Sequence, residues 1–166
     1  MNYRHAYHAG NFADVVKHAV VALILRKLLA KPQPMMVLDA FAGVGLYDLG
    51  GVEALKTGEA ARGIQRVWPP PGALGQGLAP YLDVVAALNP RGPLALYPGS
   101  PELARRLLRV EDRLVLVELH PDDCGLLRRN LGRDPRVQIH QRDGFEALPA
   151  LLPPAERRGL VLIDPP

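Results

Sequence analysis

The chain has 166 residues, 48% hydrophobic and 22% charged, which suits one folded domain with a sizeable core. Its single cysteine, Cys124, excludes a disulfide framework and fits a reducing cytoplasm, and the surrounding Asp-Asp-Cys-Gly gives it no base that would make it a nucleophile. A net charge of +3, carried mainly by arginine, permits a phosphate-rich partner without requiring one, whereas the polar start M-N-Y-R-H-A-Y-H and the short apolar run Ala19 to Leu25 argue against a signal peptide or membrane span. A cytoplasmic protein with no membrane partner is expected.

Tyr3, Arg4, His5, Tyr7 and His8 come first, an arm of aromatic and basic side chains suited to stacking on an unstacked base while holding its phosphate. Asn11 followed by Asp14 resembles a capping box, opening a helix to about Leu29. Residues Ala19 to Leu25 are apolar all round, which predicts burial, while Asp14, Lys17 and His18 share one polar face in the first turns. By ligand type His5, His8, Asp14 and His18 could hold zinc, but cysteine pairs and H-E-x-x-H spacing are lacking, so no metal is expected.

Next comes M-M-V-L-D-A-F-A-G-V-G, from Met35 to Gly45. Met36 to Leu38 read as a strand buried on both faces of a parallel sheet, ended by Asp39. Gly43 and Gly45 let the following turn approach a ligand where a side chain would block it. A carboxylate just before such a loop repels a pyrophosphate, which disfavours NAD, FAD and ATP. It favours a cofactor with a cationic end and hydroxyls, and S-adenosylmethionine fits.

A Rossmann acid is expected about 20 residues past such a loop, but the next strand ending in an acid closes only at Glu118. Residues 48–91 therefore read as an inserted helical subdomain, with helices Thr57 to Trp68 and Gly77 to Leu88 separated by Pro69-Pro70-Pro71. Residues 1–34 form the arm and first helix, and 35–47 with 92–166 the core. In the core Ser100 is expected to cap a helix running to about Arg109, with Pro101 at its first position. Strand Leu114 to Glu118, helix Asp122 to Leu131, strand Val137 to His140, helix Phe145 to Leu151 and strand Leu160 to Ile163 follow. The alternation predicts an α/β, Rossmann-like fold with a mostly parallel sheet.

Asp39, Glu118, Asp143 and Asp164 then fall at or just past four successive strand ends, where ligands of open α/β sheets bind. Any one of them could be a helix cap, Asp143 above all. Glu118 is placed to accept from ribose hydroxyls and Asp143 from an adenine amino group.

Asp39-Ala-Phe-Ala-Gly43-Val-Gly45 resembles the cofactor motif of class I S-adenosylmethionine-dependent methyltransferases, and Leu162-Ile163-Asp164-Pro165-Pro166 resembles the catalytic motif of their amino-group methylating members. Tyr3-Arg4-His5, His8-Ala-Gly-Asn11, Asp14-Val-Val-Lys17-His18, Tyr97-Pro98-Gly99-Ser100-Pro101, Glu118-Leu-His120-Pro121 and Arg142-Asp143-Gly144-Phe145 resemble the bacterial 23S ribosomal RNA N6-adenine methyltransferase J family over nearly the whole chain. The resemblance implies S-adenosylmethionine as cofactor and an adenine N6 of 23S ribosomal RNA, protein-free or partly assembled, as substrate. It implies cofactor contacts from Lys17, His18, Asp39, Phe41, Gly43, Gly45, Ser100, Glu118, Asp143, Gly144 and Asp164. Tyr3, Arg4 and His5 are implied at the substrate base, and Asp164, Pro165 and Pro166 at the reacting amine. Phe41 stands where the family carries a histidine. Contact of Lys17 and His18 with cofactor is expected to draw the arm over the pocket. Family members continue past Asp-Pro-Pro, so the sequence is expected to be the N-terminal part of a longer protein. A DNA adenine methyltransferase and a nonenzymatic RNA-binding module on the same fold are the alternatives, since Asp-Pro-Pro serves DNA enzymes too.

Overall fold

The run Met36-Val37-Leu38-Asp39 forms the strand β1, and all four residues are buried because both of its edges and both of its faces are covered. The structure is a computed structural model and describes residues 5–69 and 72–165. β4 (Arg113–Val117) and β6 (Gly159–Leu162) flank β1, and β5 (Val137–His140) lies outside β4, giving a parallel sheet of order β5-β4-β1-β6. Asp39 sits opposite Leu116 and Leu162 in register, which brings the carboxyl ends of the strands to one rim.

Side-chain alternation decides which helix covers which face. Val37, Leu114 and Leu116 join one core with residues of α1 (Phe12–Leu29), α4 (Ser100–Leu107) and α5 (Pro121–Leu131). Met36, Leu38, Val115 and Val117 point the other way, onto α6 (Gly144–Leu151). This is the doubly wound arrangement predicted from the alternating elements.

The first helix starts as its sequence dictates: Asn11 Oδ1 accepts from the Asp14 N–H at 2.9 Å. Its middle departs from expectation. Ala19, Ala22 and Leu25 are buried, but Val20, Leu23 and Ile24 are exposed, as are Phe12 and Val16 one and two turns earlier. Within the described residues the helix therefore buries a single stripe, which its all-apolar sequence does not single out.

Between β1 and α4 the chain makes elements that periodicity does not reveal. β2 (Leu46–Asp48) and β3 (Leu96–Pro98) pair antiparallel in a separate ribbon, with Tyr47 opposite Tyr97. The helix expected over Thr57 to Trp68 is instead α2 (Val52–Thr57) followed by 3-10 turns at Glu59–Arg62 and Ile64–Arg66. Glycines cause the breaks. Gly58 ends α2 in the left-handed region at φ 61°, and Gly63 lies so close to the chain entering α1 that a Cβ there would meet the Gly10 carbonyl oxygen at 2.0 Å. The next helix, α3 (Gly72–Leu88), begins before the expected Gly77. Tyr81, Val85, Ile64 and Tyr97 bind this segment to α1 through a third cluster that includes Val15 and Ala19. Two smaller differences concern α4: Gly99, not Ser100, is its N-cap, and it ends at Leu107 rather than Arg109.

Candidate active site

At the carboxyl rim of the sheet lies a cavity of ≈ 1080 Å³, walled by the loop after β1, the starts of α4, α5 and α6, and the first turns of α1. Of the residues with implied roles, Lys17, His18, Phe41, Gly43, Ser100, Glu118, Asp143, Gly144, Asp164, Pro165 and His5 line it. Asp39 and Gly45 do not. Both are buried, and Asp39 is only 2% exposed. Tyr3, Arg4 and Pro166 lie outside the described residues.

Glu118, one residue past β4, shapes the glycine loop. Its Oε2 accepts from the Gly43 N–H at 2.8 Å, and its Oε1 from the His120 N–H at 2.8 Å. Each carboxylate oxygen keeps a lone pair for a further donor. Gly43 and Gly45 take φ 60° and 78°, a backbone that non-glycine residues enter only with strain. Replacing Glu118 with alanine removes both charge-assisted bonds. The variant is expected to bind S-adenosylmethionine about 1.5–3 kcal/mol more weakly by calorimetry; unchanged affinity would remove Glu118 from the site.

Asp39 accepts from the Phe41 N–H at 3.2 Å through Oδ1, while its buried Oδ2 has no hydrogen-bond partner. Burial pushes its pKa up from 3.8 to about 6, and the charges of Asp164 and Glu118 add to the rise. The nearby Ser100 hydroxyl and the Phe41 N–H pull the other way without offsetting burial. Asp143 plays the cap role open to it: its Oδ1 accepts from the Glu146 N–H at 3.0 Å, opening α6. Phe41 meets Phe145 edge to face, ring centroids 5.1 Å apart, so the position that carries a histidine in the resembling family makes an aromatic contact here.

Lys17 and His18 have partners within the protein. Lys17 Nζ donates to Asp164 Oδ2 and lies 3.4 Å from Asp14 Oδ1. Burial works against the ammonium, but these two carboxylates outweigh it and raise its pKa. His18 Nδ1 is 2.9 Å from the Tyr97 hydroxyl, which in turn shares a hydrogen bond with the Tyr81 hydroxyl at 3.1 Å. Burial lowers the pKa of His18 to about 4, which keeps it neutral at pH 7. Of the four residues considered for zinc, His5 pairs with Asp14 at 3.0 Å, whereas His8 meets Glu59 at 3.0 Å and His18 meets Tyr97.

Two features escape sequence reasoning. Asp14, assigned there to a polar face, is a buried hub, and Tyr81 and Tyr97 reach His18 from α3 and β3. The spacing of Asp14, Lys17 and His18 signalled their shared face, but nothing in it signalled what that face meets.

The family model described as "Ribosomal RNA large subunit methyltransferase D, RlmJ" matches residues 32–166. The chain belongs to the RlmJ family. It is 49% identical over 166 residues to the Ribosomal RNA large subunit methyltransferase J of Escherichia coli (strain K12), covering 100% of this chain and 59% of that one. The protein of the same name in Haemophilus influenzae is 47% identical over 167 residues, again covering 100% of this chain and 59% of its own length. A crystal structure from Legionella pneumophila aligns with a TM-score of 0.86 at 40% identity, over 95% of this chain and 58% of the other. This RlmJ-family chain thus spans about three fifths of the length of the curated relatives it matches. No helix among the described residues is long and apolar enough to cross a membrane.

Proposed function

We propose that this RlmJ-family chain carries the cofactor site and the amine-presenting turn of an S-adenosylmethionine-dependent methyltransferase acting on an adenine N6 of 23S ribosomal RNA. The observation that carries the reading is that Asp164 and Pro165, just past β6, line the same cavity as the glycine loop held by Glu118. The donor set suits the cofactor. Gly43 allows close approach of the backbone, Glu118 has lone pairs for ribose hydroxyls, and the orphaned Asp39 Oδ2 beneath the floor favours a cation over a pyrophosphate. Lys17, His18 and Ser100, which share the cavity wall, and the α6 start with Asp143 and Gly144 complete the proposed pocket.

When bound, S-adenosylmethionine supplies an electrophilic methyl on its sulfonium. The exocyclic amine of adenine is a poor nucleophile because its lone pair is delocalised into the ring. The Asp164 carboxylate and the Pro165 carbonyl accept its two hydrogens, which localises the lone pair and aims it across the cavity. Lys17 occupies Asp164 Oδ2 and leaves Oδ1 for the amine. The N–C bond would form as the S–CH3 bond breaks, leaving the neutral thioether S-adenosylhomocysteine; the amine becomes acidic only once methylated, so positioning by Asp164 suffices and the proton then passes to the Asp164 carboxylate or to water. The target base leaves its stack to reach the cavity, which looped RNA permits cheaply. Tyr3, Arg4 and His5 of the arm are the proposed contacts of that base, and residues 48–91 are read as a helical subdomain inserted beside it, in a cytoplasmic enzyme.

The test is incubation of the full-length protein with labelled S-adenosylmethionine and either protein-free 23S ribosomal RNA or duplex DNA, followed by mass spectrometry of the nucleosides. N6-methyladenosine in the RNA alone is expected. Methylation of the duplex alone would shift the reading to a DNA enzyme, and no binding of cofactor would leave a nonenzymatic module.

A further inference from the structure

We propose that Asp14 is a positioning residue for methyl transfer, holding Lys17 from inside the fold so that Lys17 can hold Asp164. The inference rests on the reading of Asp164 as the acceptor of the amine hydrogens.

The geometry singles Asp14 out. Its carboxylate lies in the first turn of α1 at only 1% exposure. Oδ2 accepts from the Gly10 N–H at 3.0 Å and pairs with His5 Nε2 at 3.0 Å. Oδ1 makes no hydrogen bond and faces Lys17 Nζ at 3.4 Å. A carboxylate serving only to tie the chain entering α1 would need Oδ2 alone; the second oxygen is directed at the cation.

Lys17 needs such a hold. Both it and its partner Asp164 line the cavity, and an ion pair at a cavity wall fixes little by itself, because water and salt compete for both ends. Asp14 supplies the side of the arrangement that cannot move. One buried oxygen locates the ammonium, the ammonium locates Asp164 Oδ2, and the free Asp164 oxygen is left facing the cavity. Charge points the same way. Positive charge builds on the amine as the methyl arrives, and Lys17 unaccompanied would oppose it. With Asp14 and Asp164 both ionised around Lys17 the triad carries a net charge of about −1. Asp14 is held ionised: burial acts to raise its pKa, but His5, His18 and Gly10 outweigh that and bring it to about 2. Because His5 bonds the same carboxylate, the docking of the arm and the pose of Asp164 share one residue.

Single-turnover transfer by the full-length protein tests this. At saturating cofactor, Asp14→Asn is expected to slow methyl transfer about 10- to 100-fold, the range for a misplaced reacting group. In a Lys17→Met background Asp14→Asn should have no further effect on the rate. A merely structural Asp14 would instead give losses that multiply. Unchanged transfer in Asp14→Asn, or independent losses in the double variant, would overturn the proposal. A second measurement needs no transfer: by NMR titration, adding Asp14→Asn to Asp164→Asn should lower the Lys17 pKa further, whereas no change on adding it would mean that Asp14 does not hold the ammonium. This titration stands even if the wild-type protein methylates no RNA, so failure of the functional reading and failure of this inference are distinguishable.

Discussion

Asp164→Ala is expected to lose methyl transfer by about 100-fold or more while binding S-adenosylmethionine within about threefold of the wild-type protein. The split follows from position. Asp164 stands two residues past β6 at the cavity edge, whereas Glu118 follows β4, on the far side of β1, and holds the Gly43 loop that follows β1. Removing the carboxylate takes away the acceptor that orients the amine and leaves the Glu118–Gly43 bond in place. The fold should tolerate it as well: Lys17 retains Asp14 when Asp164 is removed, so stability should change by no more than about 1 kcal/mol. Equilibrium binding of cofactor and single-turnover rates on 23S ribosomal RNA, measured on the same preparation, check the split. Turnover within tenfold of wild type would end the positioning mechanism, and a parallel loss of cofactor affinity would move Asp164 into the cofactor site.

The sheet was legible because its signal is local. Met36 to Asp39 is too short and too apolar for anything but a buried strand, and Pro34 and the glycines on either side mark its ends. Strand ends then follow from the alternating pattern, and with them the acids at the rim. Asn11 likewise declared the start of α1. What stayed hidden depended on contacts distant in sequence. The apolar run of α1 gave no sign of which stripe meets the protein, and Gly63 breaks a helical-looking stretch because the chain entering α1 passes against it. The β2–β3 ribbon joins three-residue strands almost fifty positions apart, too short for any periodicity to show. At the site, residue types pointed to Glu118 as a ligand group, but its two bonds to backbone N–H groups belong to the tertiary structure. Asp14 and His18 read as members of one polar face, and that face proved buried, since a polar stripe on a helix can face a polar network instead of water.

Asp39→Asn is expected to change stability and cofactor binding in opposite directions, and pH should expose both. The native pKa of Asp39 is raised from 3.8 to about 6 by burial, so the group is neutral in the folded protein below pH 4, and the penalty for burying its charge sets in above that value. For a raised pKa the stabilising contribution is complete below the unfolded value and is lost as pH climbs through the folded one. Two pKa units correspond to about 3 kcal/mol, so the cofactor-free protein should lose up to about that much stability between pH 4 and 6 through this residue. Asparagine has no charge to bury, so thermal unfolding of the cofactor-free variant should lack this slope and should show a higher Tm than wild type at pH 7. Binding runs the other way. A cationic cofactor bound near Asp39 would favour the ionised carboxylate, so wild-type affinity for S-adenosylmethionine should rise with pH up to about 6 and level off above it, with proton release on binding below that point. Asp39→Asn should bind more weakly at pH 7 and show no such rise. Calorimetry in two buffers of different ionisation enthalpy measures affinity and proton release together. A variant whose affinity equals wild type at pH 7 would show that Asp39 supports the loop through Phe41 alone and that its charge does not reach the cofactor.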